Sequence, residues 1–225
     1  ETDISASDLS RLRIADDGYM DEVHTIRDSV AADLVALLVD DLGSSCGRAY
    51  LSTNANFGFS VTDADCAVGN LTFPHEIGHN QGCAHDASNA GAAIYSFGYG
   101  WRWDGTNGVR YRSVMAYAPG SRVRHFSNPD VSLAGAPTGA LLADNARVIE
   151  LTAPNIAEYR EALVPLEFSF PNGLPTGLTE GEPTPITVEI SPGTQGPLDP
   201  ATALLFYGYD TAGQPFLFEP LANVG

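Results

Sequence analysis

His75-Glu76-Ile77-Gly78-His79 places two imidazoles four residues apart, with a carboxylate next to the first. Four steps of about 100° nearly close a helical turn, so both rings can reach one point on one helix face. Glu76 projects beside that point, where a general base acting on a zinc-activated water would stand. Gly82 and then His85 follow. If the helix continued, His85 would rotate off the shared face. Glycine permits the φ > 0 turn that ends a helix and swings the chain back. Three neutral imidazoles and one open position is the layout of a catalytic zinc; a structural zinc is closed by four protein ligands rich in thiolate. A bare His-Glu-x-x-His arises by accident in unrelated helices. The glycine and third histidine at fixed spacing supply the specificity, against a reading of plain core or surface histidines.

The helix carrying this run is expected to start near Thr72 as N-cap, to tolerate Pro74 in its first turn and to end at about Gln81. Upstream, Val23, Ile26 and Val30 have helical spacing within 21–32. The apolar run Leu34 to Val39 suits a helix continuation or a strand buried on both faces. Gly43-Ser44-Ser45 reads as a turn, and 49–51 and 57–61 as short strands. The stretch 91–120 is rich in Gly, Tyr and Trp with little periodicity, and reads as loop around the lower rim of a cleft. Trp101 and Trp103 alternate within it as in a strand, with packing as their expected job. Residues 147–160 look helical, with Pro154 forcing a kink or a second start. After Val164, prolines punctuate the apolar segments 166–170, 186–190, 204–209 and 216–218, which read as the first strands of a β-sandwich.

The chain of 225 residues carries a net charge of -17, from 28 acidic residues against 11 basic ones, all arginine. Such acidity repels nucleic acid and suits a soluble secreted protein. Its carboxylates could hold calcium or stand simply solvated. No apolar run approaches the ~20 residues that span a bilayer. The abrupt start at Glu1 reads as a processed product, so an opening strand, a propeptide and a secretion signal are expected upstream. Of the three cysteines, Cys46 and Cys66 flank strand-like sequence and are expected to pair. Cys83 lies inside the histidine run, where His85 already fills the third-ligand position, so a small buried hydrophobe is its expected role.

The run His75 to His85 resembles the long zinc motif of the metzincin metalloendopeptidases, and Ser113-Val114-Met115-Ala116-Tyr117 resembles their Met-turn. Asp86, Arg124-His125-Phe126-Ser127-Asn128-Pro129 and Ala143-Asp144-Asn145-Ala146-Arg147 resemble the bacterial reprolysin-like (adamalysin-like) branch. Tyr117 departs from it and is similar to astacins and serralysins. The resemblance implies an α/β (α+β) catalytic domain over 1–163, with a mixed twisted sheet, an active-site helix and a C-terminal helix. A partial all-β, Ig-like module over 164–225 would follow it. It implies zinc on His75, His79 and His85, Glu76 as general base and Met115 as an apolar floor beneath the imidazoles. Tyr117 would serve as a zinc or oxyanion partner, with a rim aromatic as the alternative. Residues 124–129 would wall the substrate pocket. His24 and His125 are not expected to be ligands. The implied function is a secreted zinc endopeptidase that binds extended protein or peptide substrates along an edge strand. The alternative is a catalytically silent zinc-fold protein used for adhesion, against which the intact Glu76 argues. The sequence sets no oligomeric state.

Overall fold

The computed structural model describes residues 5–161, 167–173, 187–191, 204–207 and 217–220. The chain divides into two compact units, Glu1–Glu161 and Ala162–Gly225. The first opens with helix α1, Ser5–Arg13, which the sequence reading did not anticipate. Its only strong signal is the pair Leu9 and Leu12, one turn apart and both buried. Helix α2, Glu22–Ser29, stops short of the expected end because Ala31 takes a left-handed φ of 49°. Val23 packs against the core, but Ile26 and Val30 are exposed. The buried residue of α2 is Arg27, whose guanidinium donates to the carbonyls of Ala32, Asp33 and Ala55.

Strands β1 (Val35–Val39), β2 (Gly47–Ala49) and β3 (Phe59–Asp63) form a sheet in the order β1-β3-β2, with β1 parallel and β2 antiparallel to β3. The expectation of a strand buried on both faces is corrected for β1. Val35, Leu37 and Val39 pack on the core, while Leu38 is 54% exposed. Being at a sheet edge, β1 needs only one apolar face. Leu9, Leu12, Leu42, Phe59 and Val61 form the core beneath the sheet.

Asp63 ends β3 and caps the short helix α3, Ala64–Ala67, by accepting from the amides of Asp65 and Cys66. Cys66 is bonded to Cys46, just ahead of β2. Helix α4, Thr72–Asn80, follows. Thr72 is its first helical residue, not its cap. The cap position is Leu71, at φ 56°, with no side-chain cap bond. Thr72 is buried instead, its methyl lying where a Cβ on Gly47 would point. At the other end Asn80 donates to the carbonyls of Tyr50, Phe57 and Phe59, pinning α4 to the sheet.

The stretch 91–120 holds more order than expected. Strand β4 (Ala84–Asp86) pairs with β5 (Tyr99–Gly100), and β6 (Arg102–Asp104), β7 (Arg110–Arg112) and β8 (Ser121–Arg122) form a second sheet in that order. The turn between β6 and β7 uses Gly108 at φ 75°, a conformation glycine adopts without penalty. These strands are two or three residues long, too short for a two-residue period to show. Trp103 is buried and Trp101 partly exposed. After the hairpin β9–β10 (Ser132–Leu133, Ala136–Pro137) comes helix α5, Asn145–Ile156, capped by Asp144 and carrying Pro154 inside it. α5 therefore begins and ends before the expected 147–160. Val148 joins Cys83, Val114 and Met115 in a second core cluster under α4.

In the second unit, β11 (Glu167–Ser169) pairs antiparallel with β12 (Glu189–Ser191), and β13 (Leu204–Tyr207) with β14 (Leu217–Pro220). All four overlap the expected apolar segments, with β12 running on to Ser191 and β14 to Pro220. The rest of the expected sandwich lies outside the described residues.

Candidate metal centre

Helix α4 presents His75 and His79 on one face, and the turn at Gly82, φ 90°, carries the chain back into β4 so that His85 meets them. The Nδ1 of His75 lies 2.9 Å from the carbonyl of Val114, and that of His79 lies 2.8 Å from the carbonyl of Cys83. A carbonyl only accepts, so each Nδ1 carries the proton and each Nε2 keeps its lone pair. The Nε2 atoms of His75 and His79 lie 3.1 and 3.0 Å from that of His85. Zinc–nitrogen distances of about 2.0–2.1 Å in a tetrahedron require nitrogen separations of about 3.3 Å. Lone pairs brought this close repel unless a cation sits among them, so the donor set fits zinc. Burial first, and then neighbouring imidazoles, hold His75 well below the usual histidine range and His79 down at about 4. Burial also lowers His85. All three are thus neutral at physiological pH, the form in which imidazole can bind a metal. Among the described residues this is the one cluster of three or more His, Cys, Asp or Glu able to hold a metal. It offers nitrogen, whereas calcium takes oxygen.

Glu76 is 5% exposed. Burial raises its carboxyl to about 8, while the cations Arg122 and then Arg48 pull the other way. Its side chain lies against the backbone of Gly47 on the edge strand β2. A Cβ there would come within 2.6 Å of the Glu76 carboxylate. Tyr117 stands at the mouth, 42% exposed, with its ring centroid 4.2 Å from that of His85 and 6.1 Å from that of His75.

Met115 is wholly buried beneath α4, and its Sδ fills the space where a Cβ on Gly78 would project. Phe126 touches the same spot, and Ser127 is buried, bonded to Tyr99 and Asn145. His125 contributes its carbonyl to the amide of Val114. These residues of the expected pocket wall therefore brace the Met115 turn. Cys83 is buried and unbridged, its thiol 3.7 Å from the Asn145 carbonyl. His24, expected on a helix surface, packs its ring 5.6 Å from Phe59 and is not part of the metal cluster.

Four residues of the site were not picked out from sequence. Gly47 makes room for Glu76, Asn80 locks α4 to the sheet, Arg102 pairs with Asp86, and Arg122 faces the centre. Their contacts with Glu76, Phe59, Asp86 and Asn70 span from 16 to 52 residues, and no local pattern encodes them.

Two histidines on a helix, a third past a glycine turn and a methionine beneath them define a metallopeptidase of the metzincin type. The sequence profile of Metallo-peptidase family M12 matches residues 2–127, and the chain belongs to that family. It is 42% identical over 160 residues to a peptidyl-Asp metalloendopeptidase of Stenotrophomonas maltophilia (strain R551-3), covering 68% of this chain and 38% of that protein. It is 40% identical over 166 residues to one of Xanthomonas campestris pv. campestris, covering 71% and 39%. Against one of Pseudomonas fragi it is 36% identical over 104 residues, covering 45% and 67%. The chain thus spans about two fifths of the length of the first two. A solved structure described as a chaperone-substrate complex matches with a TM-score of 0.54 at 23% identity, covering 71% of this chain and 26% of that one, a likeness of fold alone. Among the described residues no helix is long and apolar enough to cross a membrane.

Proposed function

We propose that this chain carries the catalytic domain of a secreted zinc endopeptidase that cleaves peptide bonds at aspartyl residues. The observation that carries the reading is the convergence of three Nε2 lone pairs beside a buried carboxylate. The aspartyl preference rests on the names of the relatives. Secretion is supported by the Cys46–Cys66 bond, which suits an oxidising compartment.

His75, His79 and His85 would hold the zinc, which when bound supplies Lewis acidity, lowering the pKa of a water to about 7 and polarising a carbonyl. The chain's own residues do the rest. Burial alone would keep the Glu76 carboxyl protonated up to about pH 8; a cation on the three histidines would favour its charged form, in which it accepts the proton of the attacking water and later delivers it to the leaving amine nitrogen. Gly47 and the burial of Glu76 fix where that proton is held. Tyr117 is placed to donate its hydroxyl to the oxyanion that develops on the substrate carbonyl. Strand β2 stands at the edge of its sheet, and an extended substrate would add alongside it.

The test is metal analysis of the purified chain together with cleavage of an aspartyl peptide. One zinc per chain is expected, with cleavage abolished by 1,10-phenanthroline and restored by zinc. Cleavage that survives complete metal removal would sink the reading.

A further inference from the structure

Strands β7 and β8 run parallel in a register that sets Arg112 directly opposite Arg122. Like charges in that arrangement destabilise a sheet, and partly buried guanidiniums add a desolvation cost. Both converge on one acceptor: the carbonyl of Ala116 lies 2.7 Å from Nη1 of Arg112 and 3.5 Å from Nη2 of Arg122. Arg112 is further tied to the Gly120 carbonyl through Nε. Neither takes part in an ion pair among the described residues. Burial accordingly lowers both, Arg122 to about 10 with Arg112 contributing. The Glu76 carboxyl and Tyr117 act on Arg122 from a distance, but among the described residues no carboxylate lies within ion-pair reach of either guanidinium, so the pair can take a further anion.

Arg122 is the member of the pair that faces the histidine cluster. Nη1 of Arg122 donates at 2.7 Å to the carbonyl of Asn70, immediately before the residue that caps α4. Through Ala116 it also touches the turn between Met115 and Tyr117. Arg122 therefore bridges the two chain segments that carry Glu76 and Tyr117, and its charge acts on both. Its Nε has no acceptor, and Nη2 has only the long bond to Ala116. The Nε–Nη2 edge of the guanidinium therefore holds one long bond and no forked partner. The same edge of Arg110 grips Asp104 through two parallel bonds, Nε to Oδ1 at 2.7 Å and Nη2 to Oδ2 at 2.6 Å. An arginine–aspartate fork of this kind is thus already built in the neighbouring strand pair.

We infer that Arg122, backed by Arg112, is the residue that selects an aspartyl side chain beside the scissile bond, by a forked bond from its Nε–Nη2 edge to the substrate carboxylate. The inference rests on the endopeptidase reading above and names its specificity element. Nε is covered from water, so the forked bond requires the half-buried Arg122 side chain to rotate, exchanging its bonds to the Asn70 and Ala116 carbonyls for the substrate carboxylate. In a chain of net charge -17, a local pair of cations is also what allows an acidic substrate to approach the centre.

The experiment compares two fluorogenic peptides that differ only by aspartate or asparagine at the cleavage position, on the zinc-loaded chain and on Arg122→Gln and Arg122→Lys. The quantity read is the ratio of kcat/KM for the two peptides, which a loss of mere structural support would leave unchanged. The wild type should prefer aspartate by on the order of 10²-fold, and Arg122→Gln should bring the ratio to near unity. Arg122→Lys, which keeps the charge without the fork, should fall between them. Fluorescence anisotropy of the two peptides on the metal-free chain should follow the same order. An unchanged ratio in Arg122→Gln, or in Arg122→Lys if the former does not fold, overturns the assignment and leaves the endopeptidase reading standing. Equal cleavage of both peptides by the wild type overturns the aspartyl preference and this inference with it. Cleavage of neither overturns the endopeptidase reading itself.

Discussion

The buried carboxylate of Asp86 accepts the backbone amide of Tyr117 at 3.0 Å across 31 residues of sequence. The same carboxylate pairs with Arg102, whose Nη1 donates to the carbonyl of Ala118, and takes both bonds from the Asn89 amide. Asp86 directly follows the third histidine, so one side chain fixes His85 and the turn under the imidazoles to a common frame. Asp86→Ala would leave the Tyr117 amide and the Arg102 guanidinium without their acceptor. The expected loss is about 2–4 kcal/mol, measured by urea denaturation of the metal-free chain. Asp86→Asn keeps one acceptor oxygen and should lose less. Equal stability of all three proteins would refute this role.

Gly78 and Met115 touch so closely that an added methyl would lie 2.7 Å from the Met115 sulfur and 2.9 Å from Phe126. In an open helix Gly→Ala gains about 0.5–1 kcal/mol. Here overpacking, typically costing about 1–3 kcal/mol, should outweigh that gain. Thermal or urea unfolding of Gly78→Ala should therefore show a net loss, and a stabilised variant would contradict the packing argument.

Glu76→Gln should keep zinc and fold while losing on the order of 10²-fold or more in peptide turnover, as expected for a missing general base. Gly47→Ala leaves the carboxylate in place but pushes on it, since the new methyl would meet Glu76 at 2.6 Å and Thr72 at 2.7 Å. Its loss should fall mainly in kcat. Turnover near that of the parent in Glu76→Gln would exclude it as the base.

Tyr117→Phe keeps the ring beside His85 and His75 but removes one hydroxyl. If that hydroxyl meets the oxyanion, kcat should drop by about 10²–10³-fold with KM and zinc content little changed. A change below about threefold would return Tyr117 to the role of a rim aromatic.

Burial raises the Cys83 thiol and leaves it 0% exposed, while Cys46 and Cys66 are bonded. Peptide mapping after iodoacetamide should find no label on the folded chain and a single label, on Cys83, after denaturation without reductant. Labelling of Cys83 in the native protein would show that the second core cluster opens.

What could be read along the chain was chemistry encoded over short range. His75, Glu76 and His79 are placed by one helical turn, Gly82 announces its own positive φ, and His85 follows from that turn. The Cys46–Cys66 pairing was legible because the two cysteines flank one strand, β3, and its neighbour. The strands of 91–120 were not, since segments of two or three residues carry no period and are held by partners 6 to 15 residues away. Nor was the direction of β1's exposed face, which depends on where the sheet ends.

The centre itself divides in the same way. The placement of its histidines and of Glu76 is a property of sequence spacing, because helix geometry converts a separation of four into a common face. The parts that tune it belong to tertiary structure alone. Gly47 admits Glu76, Asp86 ties the Tyr117 turn to the third histidine, and the register of β7 with β8 sets Arg112 beside Arg122. Each is a contact between segments 10 to 31 residues apart in the chain. Hydrogen-bond reach and the exclusion of overlapping atoms act only once the fold has brought those segments together, so no reading of neighbours along the sequence contains them.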